Sequence, residues 1–258
     1  MLLALDVGNT KISVGIFEEG KLTFKENIDT IINNHYDILS INLVELFANN
    51  NINHNLISSV ILSSVVPSID KILELSLSKI LQNDINILHI GDKNIILNLK
   101  ILLNNSKEVG HDRIVNSISA INKYGKNLII VDFGSAITID IINNNYEYIG
   151  GFIMPGINMS LLAMHEYTAK LPHIKFNKPY KLIGNSTKSA ILSGIYYSNY
   201  YAIKNIVNEI SEEMKCKMTV IFTGGNSSIY SDLAKKINAH FEPDLCLNGL
   251  NIIYNNNL

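Results

Sequence analysis

Twice in this chain an apolar run ends on Asp-x-Gly and a second strand-like run follows at once. Leu2 to Val7 leads into Asp6-Val7-Gly8-Asn9-Thr10 and then KISVGIF; Leu128 to Val131 leads into Asp132-Phe133-Gly134-Ser135 and then AITIDII. An apolar run, a glycine turn and an alternating run predict strand, tight turn, strand in both places. Third strands are expected after Glu18-Glu19-Gly20, starting at Lys21 to Phe24, and after the asparagines of NNNYEYIG. Helices and strands then alternate in both halves. Few residues match between the halves, so the repeat is one of structure, and it predicts a duplicated α/β chain whose halves, 1–117 and 118–258, meet at a cleft. The boundary is expected near Ser117, inside a helix predicted over Glu108 to Tyr124.

Apolar spacing predicts further helices over Tyr36 to Asn49, Ser68 to Leu81, Ser160 to Ala169, Ser186 to Met214 and Ser231 to Ala239. Strands are expected at Val60 to Val66, closed by Pro67, at Ile85 to Ile90 and at Thr219 to Phe222. The 258 residues exceed the usual size of one domain, and 47% hydrophobic with 17% charged residues fits a chain with full cores rather than a disordered one. A formal net charge of -2 supplies no basic field for nucleic acid or an anionic membrane. A small-molecule partner is therefore expected, with no nucleic acid. Cys216 and Cys246 lie far apart and outside any CxxC pair, as in a reducing cytosol. The N-terminal MLLALDVGNT has no basic leader, and no run approaches the ~18 apolar residues of a membrane span. The expectation is a cytoplasmic chain with no membrane partner.

The chain contains neither GxxxxGK[ST] nor GxGxxG, so phosphate would have to be held in another way. In the first turn Gly8 permits close backbone approach, Asn9 and Thr10 offer neutral donors and Lys11 a positive one. Asp6 would repel phosphate unless a cation bridged them, which makes Mg²⁺ near Asp6 an expectation. Asp-x-Gly-Asn also makes ordinary hairpin turns. Val109-Gly110-His111-Asp112-Arg113 supports two compatible readings. Asp112 can cap the following helix while Arg113 faces solvent, or Asp112 can take a hydroxyl proton while Arg113 orients a phosphoryl group. The Tyr196-Tyr197 and Tyr200-Tyr201 pairs at helical spacing read as packing.

DVGNT, GHDR, DFGSAIT, GGFIMPGINMS and TAKLP, in that order along essentially the whole chain, resemble the motif set of type III pantothenate kinases, of the acetate and sugar kinase/Hsp70/actin superfamily. SSVVPS and DLCLNGLNIIY agree with it. The resemblance implies duplicated ribonuclease H-like (actin-like ATPase) domains, with a central mixed sheet in each half. It also implies ATP-dependent phosphorylation of pantothenate, with Mg²⁺ accompanying ATP and K⁺ or NH4⁺ as monovalent cation.

Carried over by position, Asp6, Val7, Gly8, Asn9, Thr10, Lys11, Ile12 and Ser13 would form the ATP-phosphate loop. Gly110, His111, Asp112 and Arg113 would form the pantothenate turn, with Asp112 as proton acceptor. Asp132 would hold the monovalent cation, Ser135 would contact nucleotide and Thr187 pantothenate. Thr223-Gly224-Gly225 reads either as a plain strand-to-helix turn or, as in this superfamily, as a surface against adenosine. His165 reads as an ordinary core or surface histidine, or as a residue lent across a homodimer interface between second halves. Ser135 stands where the family usually has Thr, keeping the hydroxyl, and Leu103 where it often has an aromatic residue. Two rival functions fit the same fold: a different phosphotransferase or phosphatase, and a non-catalytic regulator. The intact Asp112 and Asp132, with no appended DNA-reading motif, weigh against the regulator.

Overall fold

The computed structural model describes residues 1–30, 36–81 and 85–258. They form two compact units: Met1–Leu99 with Asn105–Ser119 and Leu245–Leu258, and Lys100–Asn104 with Ala120–Asp244.

The first unit begins with the expected meander, β1 (Leu2–Val7), β2 (Lys11–Glu18) and β3 (Lys21–Asp29). Helix α1 (Tyr36–Asn49), strand β4 (Ser59–Ser64), helix α2 (Pro67–Ile80) and strand β5 (Asn86–His89) follow. The sheet order is β3-β2-β1-β4-β5, antiparallel through β1 and parallel beyond it. β1 is apolar throughout because both its faces are covered. Leu3, Leu5 and Val7 meet Leu39, Leu43 and Phe47 of α1 and Leu73 and Leu77 of α2 on one face. Leu2 and Ala4 meet Val115 and Leu250 on the other. β4 stops short of the expected Val66, because the Ser64 hydroxyl accepts the Val66 amide (3.1 Å) and Pro67 opens α2 at its first turn, where its missing N–H costs nothing.

Strand β6 (Lys100–Ile101) belongs to the second unit, and the unit boundary falls inside helix α3 (His111–Tyr124). β7 (Leu128–Phe133), β8 (Ala136–Ile142) and β9 (Glu147–Pro155) make the second meander. The Asn143 side chain turns β8 into β9 by accepting the amides of Asn145 (2.8 Å) and Glu147 (3.0 Å). Then come α4 (Ile157–Glu166), α5 (Thr187–Glu213), β10 (Thr219–Thr223), α6 (Ser231–Lys236), β11 (His240–Phe241) and finally α7 (Leu245–Asn256), which packs within the first unit. The long α5 starts on a reciprocal cap between Ser186 and Ser189. The sheet order is β11-β10-β7-β8-β9-β6. Read as β9-β8-β7-β10-β11 it repeats the first sheet strand for strand, with the same antiparallel and parallel pairings and β6 added at the edge. This is the duplicated ribonuclease H-like topology that the resemblance implies.

The repetition reaches individual side chains. Asp6 lies in register with Ser13 on β2 and Ser63 on β4; Asp132 lies in register with Thr138 on β8 and Thr223 on β10. Register partners project from the same face. Each aspartate therefore stands near the end of its central strand with a hydroxyl residue on either side. By alternation from Leu2 and Ala4, Asp6 shares the sheet face covered by α3 and α7.

Candidate functional site

In the first unit the chain turns sharply after Asp6, the Gly8 amide donating to the Lys11 carbonyl at 3.0 Å. Thr30, just past β3, fastens this turn: its amide donates to the Thr10 carbonyl (3.0 Å) and its hydroxyl to the Gly8 carbonyl (2.8 Å). Asn9, Thr10 and Lys11 are exposed and Ser13 is half-buried. Lys11 Nζ lies 2.6 Å from Asp29 at the surface. The Val7 and Ile12 side chains are buried in the core, so these two residues can offer a ligand only their backbone.

α3 brings the second acidic group. The Gly110 carbonyl accepts the amides of Arg113 (3.1 Å) and Ile114 (3.2 Å), opening the helix, and Asp112 Oδ1 accepts the Arg113 amide at 2.9 Å. Asp112 is thus the second residue of α3, holding the next amide from inside the helix, rather than the N-cap that one of the two readings expects, and Arg113 is half-buried rather than facing solvent. Burial raises the Asp112 pKa above the usual carboxylate range, opposed by the Arg113 amide and the positive charges of Arg113 and His111. Burial also pushes Asp6 up, to about 7; the nearby charge of Asp112 adds to the rise and a hydrogen bond from Cys246 on α7 opposes it. Ser63 Oγ, fully buried on the same sheet face, has no hydrogen-bond partner among the described residues. The charge of Asp112 that helps raise the Asp6 pKa also makes this pair of carboxyls attractive to a cation. Asp6 and Asp112 supply hard oxygen donors suited to Mg²⁺, which keeps several waters and needs only one or two carboxylates besides phosphate oxygens. No larger cluster of His, Cys, Asp and Glu able to hold a metal occurs among the described residues.

In the second unit Asp132 occupies the equivalent position on β7. Gly224, at φ +88°, packs so closely that a Cβ there would lie 2.2 Å from Asp132 Oδ1 and 2.6 Å from the Phe133 nitrogen. The Thr223-Gly224-Gly225 turn is held there by the Asn226 amide donating to the Phe133 carbonyl (3.0 Å) and the Ser227 hydroxyl to the Gly224 carbonyl (2.6 Å). A carboxylate oxygen in this backbone cradle suits a weakly hydrated monovalent cation. Ser135 abuts the start of α4, where a Cβ on Gly156 would lie 2.1 Å from the Ser135 carbonyl oxygen. Phe133 stacks on Tyr230 at 4.8 Å, and Tyr230 on Tyr196 at 5.2 Å, so that tyrosine is part of the core. Thr187 opens α5 and is exposed. His165 is exposed, its Nδ1 3.0 Å from the Leu171 carbonyl and its ring edge-on to His173. Leu103 lies in the second unit, 3.5 Å from where a Cβ on Gly150 would stand.

A family model described as Type III pantothenate kinase matches residues 2–209. The chain is 38% identical over 257 residues to the type III pantothenate kinase of Bacillus cytotoxicus, covering all of this chain and 97% of that one. It is 37% identical, again over the whole chain, to that of Paramagnetospirillum magneticum, with 98% of that protein covered. The chain belongs to the type III pantothenate kinase family. Among solved structures it resembles a protein of Campylobacter jejuni assigned to the Baf family of transcriptional activators, with a TM-score of 0.63, 21% identity, 99% of this chain and all of that one covered. It also resembles a protein of Sinorhizobium meliloti assigned as a 2-dehydro-3-deoxygalactonokinase, with a TM-score of 0.59, 10% identity and coverage of 99% and 96%. At those identities the likeness is one of fold.

Sequence reasoning missed Ser63 and Cys246 as neighbours of Asp6. Neither carries a local signal: Ser63 sits inside an apolar strand, and Cys246 reaches Asp6 only because α7 returns to the first unit. The Asp6 environment has a measurable consequence. Its folded-state pKa of about 7 lies above the ordinary 3.8, so as pH rises the unfolded chain loses its proton first, and folding loses stability between roughly pH 4 and 7. Without nucleotide or divalent cation, the melting temperature of Asp6→Asn should rise relative to the wild type across that interval, by on the order of 5 °C, and level off above it. A gap independent of pH would show that Asp6 titrates normally.

Proposed function

We propose that this chain transfers the γ-phosphoryl group of ATP to the primary hydroxyl of pantothenate, with Asp112 accepting the hydroxyl proton. ATP-dependent phosphorylation of pantothenate, the first step of coenzyme A synthesis, is the reaction that membership of the family carries. One structural observation supports Asp112 as the base: its carboxyl stands in the first turn of α3, desolvated enough that its pKa is raised toward the working range of a proton acceptor. Arg113 and His111 place positive charge beside it, suited to a developing phosphoryl negative charge.

The turn from Asp6 to Ser13 fits the ATP phosphates. Gly8, Asn9 and Thr10 are accessible there, and Lys11 keeps its cation at the rim. Asp6, with Asp112 close enough to perturb it, would hold the divalent ion accompanying ATP, which when bound supplies charge neutralisation. Asp132 in the Gly224 cradle would hold K⁺ or NH4⁺, Ser135 would contact nucleotide, and Thr187 with Gly110 to Arg113 would contact pantothenate. Phosphoryl transfer depends mainly on positioning and charge, so the base contributes only part of the rate. Among the described residues no helix is long and apolar enough to cross a membrane, which fits a cytoplasmic enzyme.

The working form we propose is a homodimer paired through second units. Tyr167 and Ile183 are 86% and 83% exposed there, with Met159 and Leu162 of α4 also open to solvent. Exposed apolar side chains of this kind in the second unit motivate an interface there, and twofold pairing is the commonest way to cover one. His165 stands on the same helix and is the residue we place across that interface.

Asp112→Asn should retain ATP and pantothenate binding while kcat falls about 10²- to 10⁴-fold; an unchanged kcat would remove the base from the mechanism. Replacing K⁺ by Na⁺ should raise the apparent KM for ATP several-fold, roughly the effect of a cation of the wrong size beside phosphate. Equal ATP saturation in either salt, and with neither, would remove the cation from Asp132. Sedimentation of the active enzyme should give twice the chain mass, and an active monomer would overturn the dimer.

A further inference from the structure

The loop after β5 carries a residue that no motif singles out. Gly91 has φ +107°, and a Cβ at that position would lie 2.6 Å from both Cε1 and Nε2 of His111. No carbon approaches a ring atom that closely. The imidazole of the Gly110 to Arg113 turn therefore rests in space that exists only because residue 91 has no side chain. The loop cannot easily withdraw. Just before it the Ile90 amide donates to the Leu62 carbonyl of β4 (2.9 Å), and His89 Nε2 sits 2.9 Å from Glu74 of α2. Just after it the Asp92 amide donates to the His89 carbonyl (3.1 Å), and the Ile95 amide to Asp92 (3.0 Å). On the other side of the contact His111 is the first residue of α3, and Asp112 and Arg113 follow it in the same turn.

We propose that Gly91 is a positioning residue for the substrate turn: it seats the His111 ring and thereby sets the first turn of α3, with Asp112 and Arg113. Its effect on catalysis rests on the reading that this turn meets pantothenate. Gly91 itself touches no substrate; it acts through His111. A side chain at position 91 forces the imidazole to rotate away or shifts the helix start, and a displacement of ~1 Å at a substrate contact costs on the order of tenfold to 100-fold.

A merely structural role must be separated from this one, because alanine at φ +107° is strained whatever it touches and would lower stability by itself. The experiment uses Gly91→Ala, His111→Ala and the double variant of the full-length enzyme. It measures the pantothenate KM and kcat, the melting temperature, and the imidazole NMR signals of His111, identified among the seven histidines by their loss in His111→Ala. Gly91→Ala should move the His111 signals and raise the pantothenate KM about tenfold or more. In the His111→Ala background the same change should raise KM less than about twofold, while lowering the melting temperature as much as before. Unmoved His111 signals overturn the seat. A KM effect equally large with and without the ring, or no KM effect at all, overturns the positioning role. If His111→Ala alone leaves the pantothenate KM unchanged, the assignment of this turn to pantothenate fails instead, and the NMR signals still decide the seat.

Discussion

Burial of the Asp6 carboxyl beside the charge of Asp112 is the constraint around which the first unit is organised. A carboxylate withdrawn from water is costly unless donors or opposite charges compensate, and here compensation is partial: a thiol hydrogen bond for Asp6, and for Asp112 two amides, its own and that of Arg113, and two neighbouring positive groups. On the same face Ser63 adds a buried hydroxyl with no partner among the described residues. Strand pairing on both sides of β1 and apolar cores on both its faces supply the stability that such a site spends. What remains undercompensated is negative charge and an unused hydroxyl, and that combination favours a ligand carrying cations.

The second unit repeats the placement with a different solution. Asp132 holds the same register position between hydroxyl residues, but what crowds it is backbone, the Thr223-Gly224-Gly225 turn drawn against β7. A backbone turn of this kind sets fixed dipoles beside the carboxylate. The first unit instead places two acidic groups and a basic helix start together. The duplication thus places an aspartate near the end of each central strand, and what packs around each one differs.

The parts of this architecture legible in the sequence are those whose signal is local. The two strand-turn-strand units show because apolar runs meet glycine turns, and α5 shows because a serine cap precedes a long periodic run. Boundaries moved where side chains intervened. α4 begins at Ile157 rather than Ser160, since Gly156 is its cap and the Ser160 hydroxyl bonds back to the Gly156 carbonyl. α3 begins at His111 rather than Glu108, because Ser106–Glu108 forms a separate turn capped by Asn105. β9 runs on through Pro155, although its glycines disguised it. Two-residue strands such as β6 and β11 exist only through their partners and carry no pattern of their own.

The candidate site is visible in the sequence as a set of motifs and not as an environment, and α7 is the reason. Its residues come from the far end of the chain, yet they sit on β1 and β4: Leu247 and Leu250 join the core beneath Ala4, Tyr254 donates to the Ser59 hydroxyl at 2.8 Å, and Cys246 reaches Asp6. Asn257 exchanges hydrogen bonds with both backbone groups of Ile96, tying the same segment to the stretch that follows β5. The acid strength of a residue at position 6 is therefore set partly by one at 246. No window of sequence around DVGNT contains that information. It exists only where the last helix lies over the sheet face that carries Asp6.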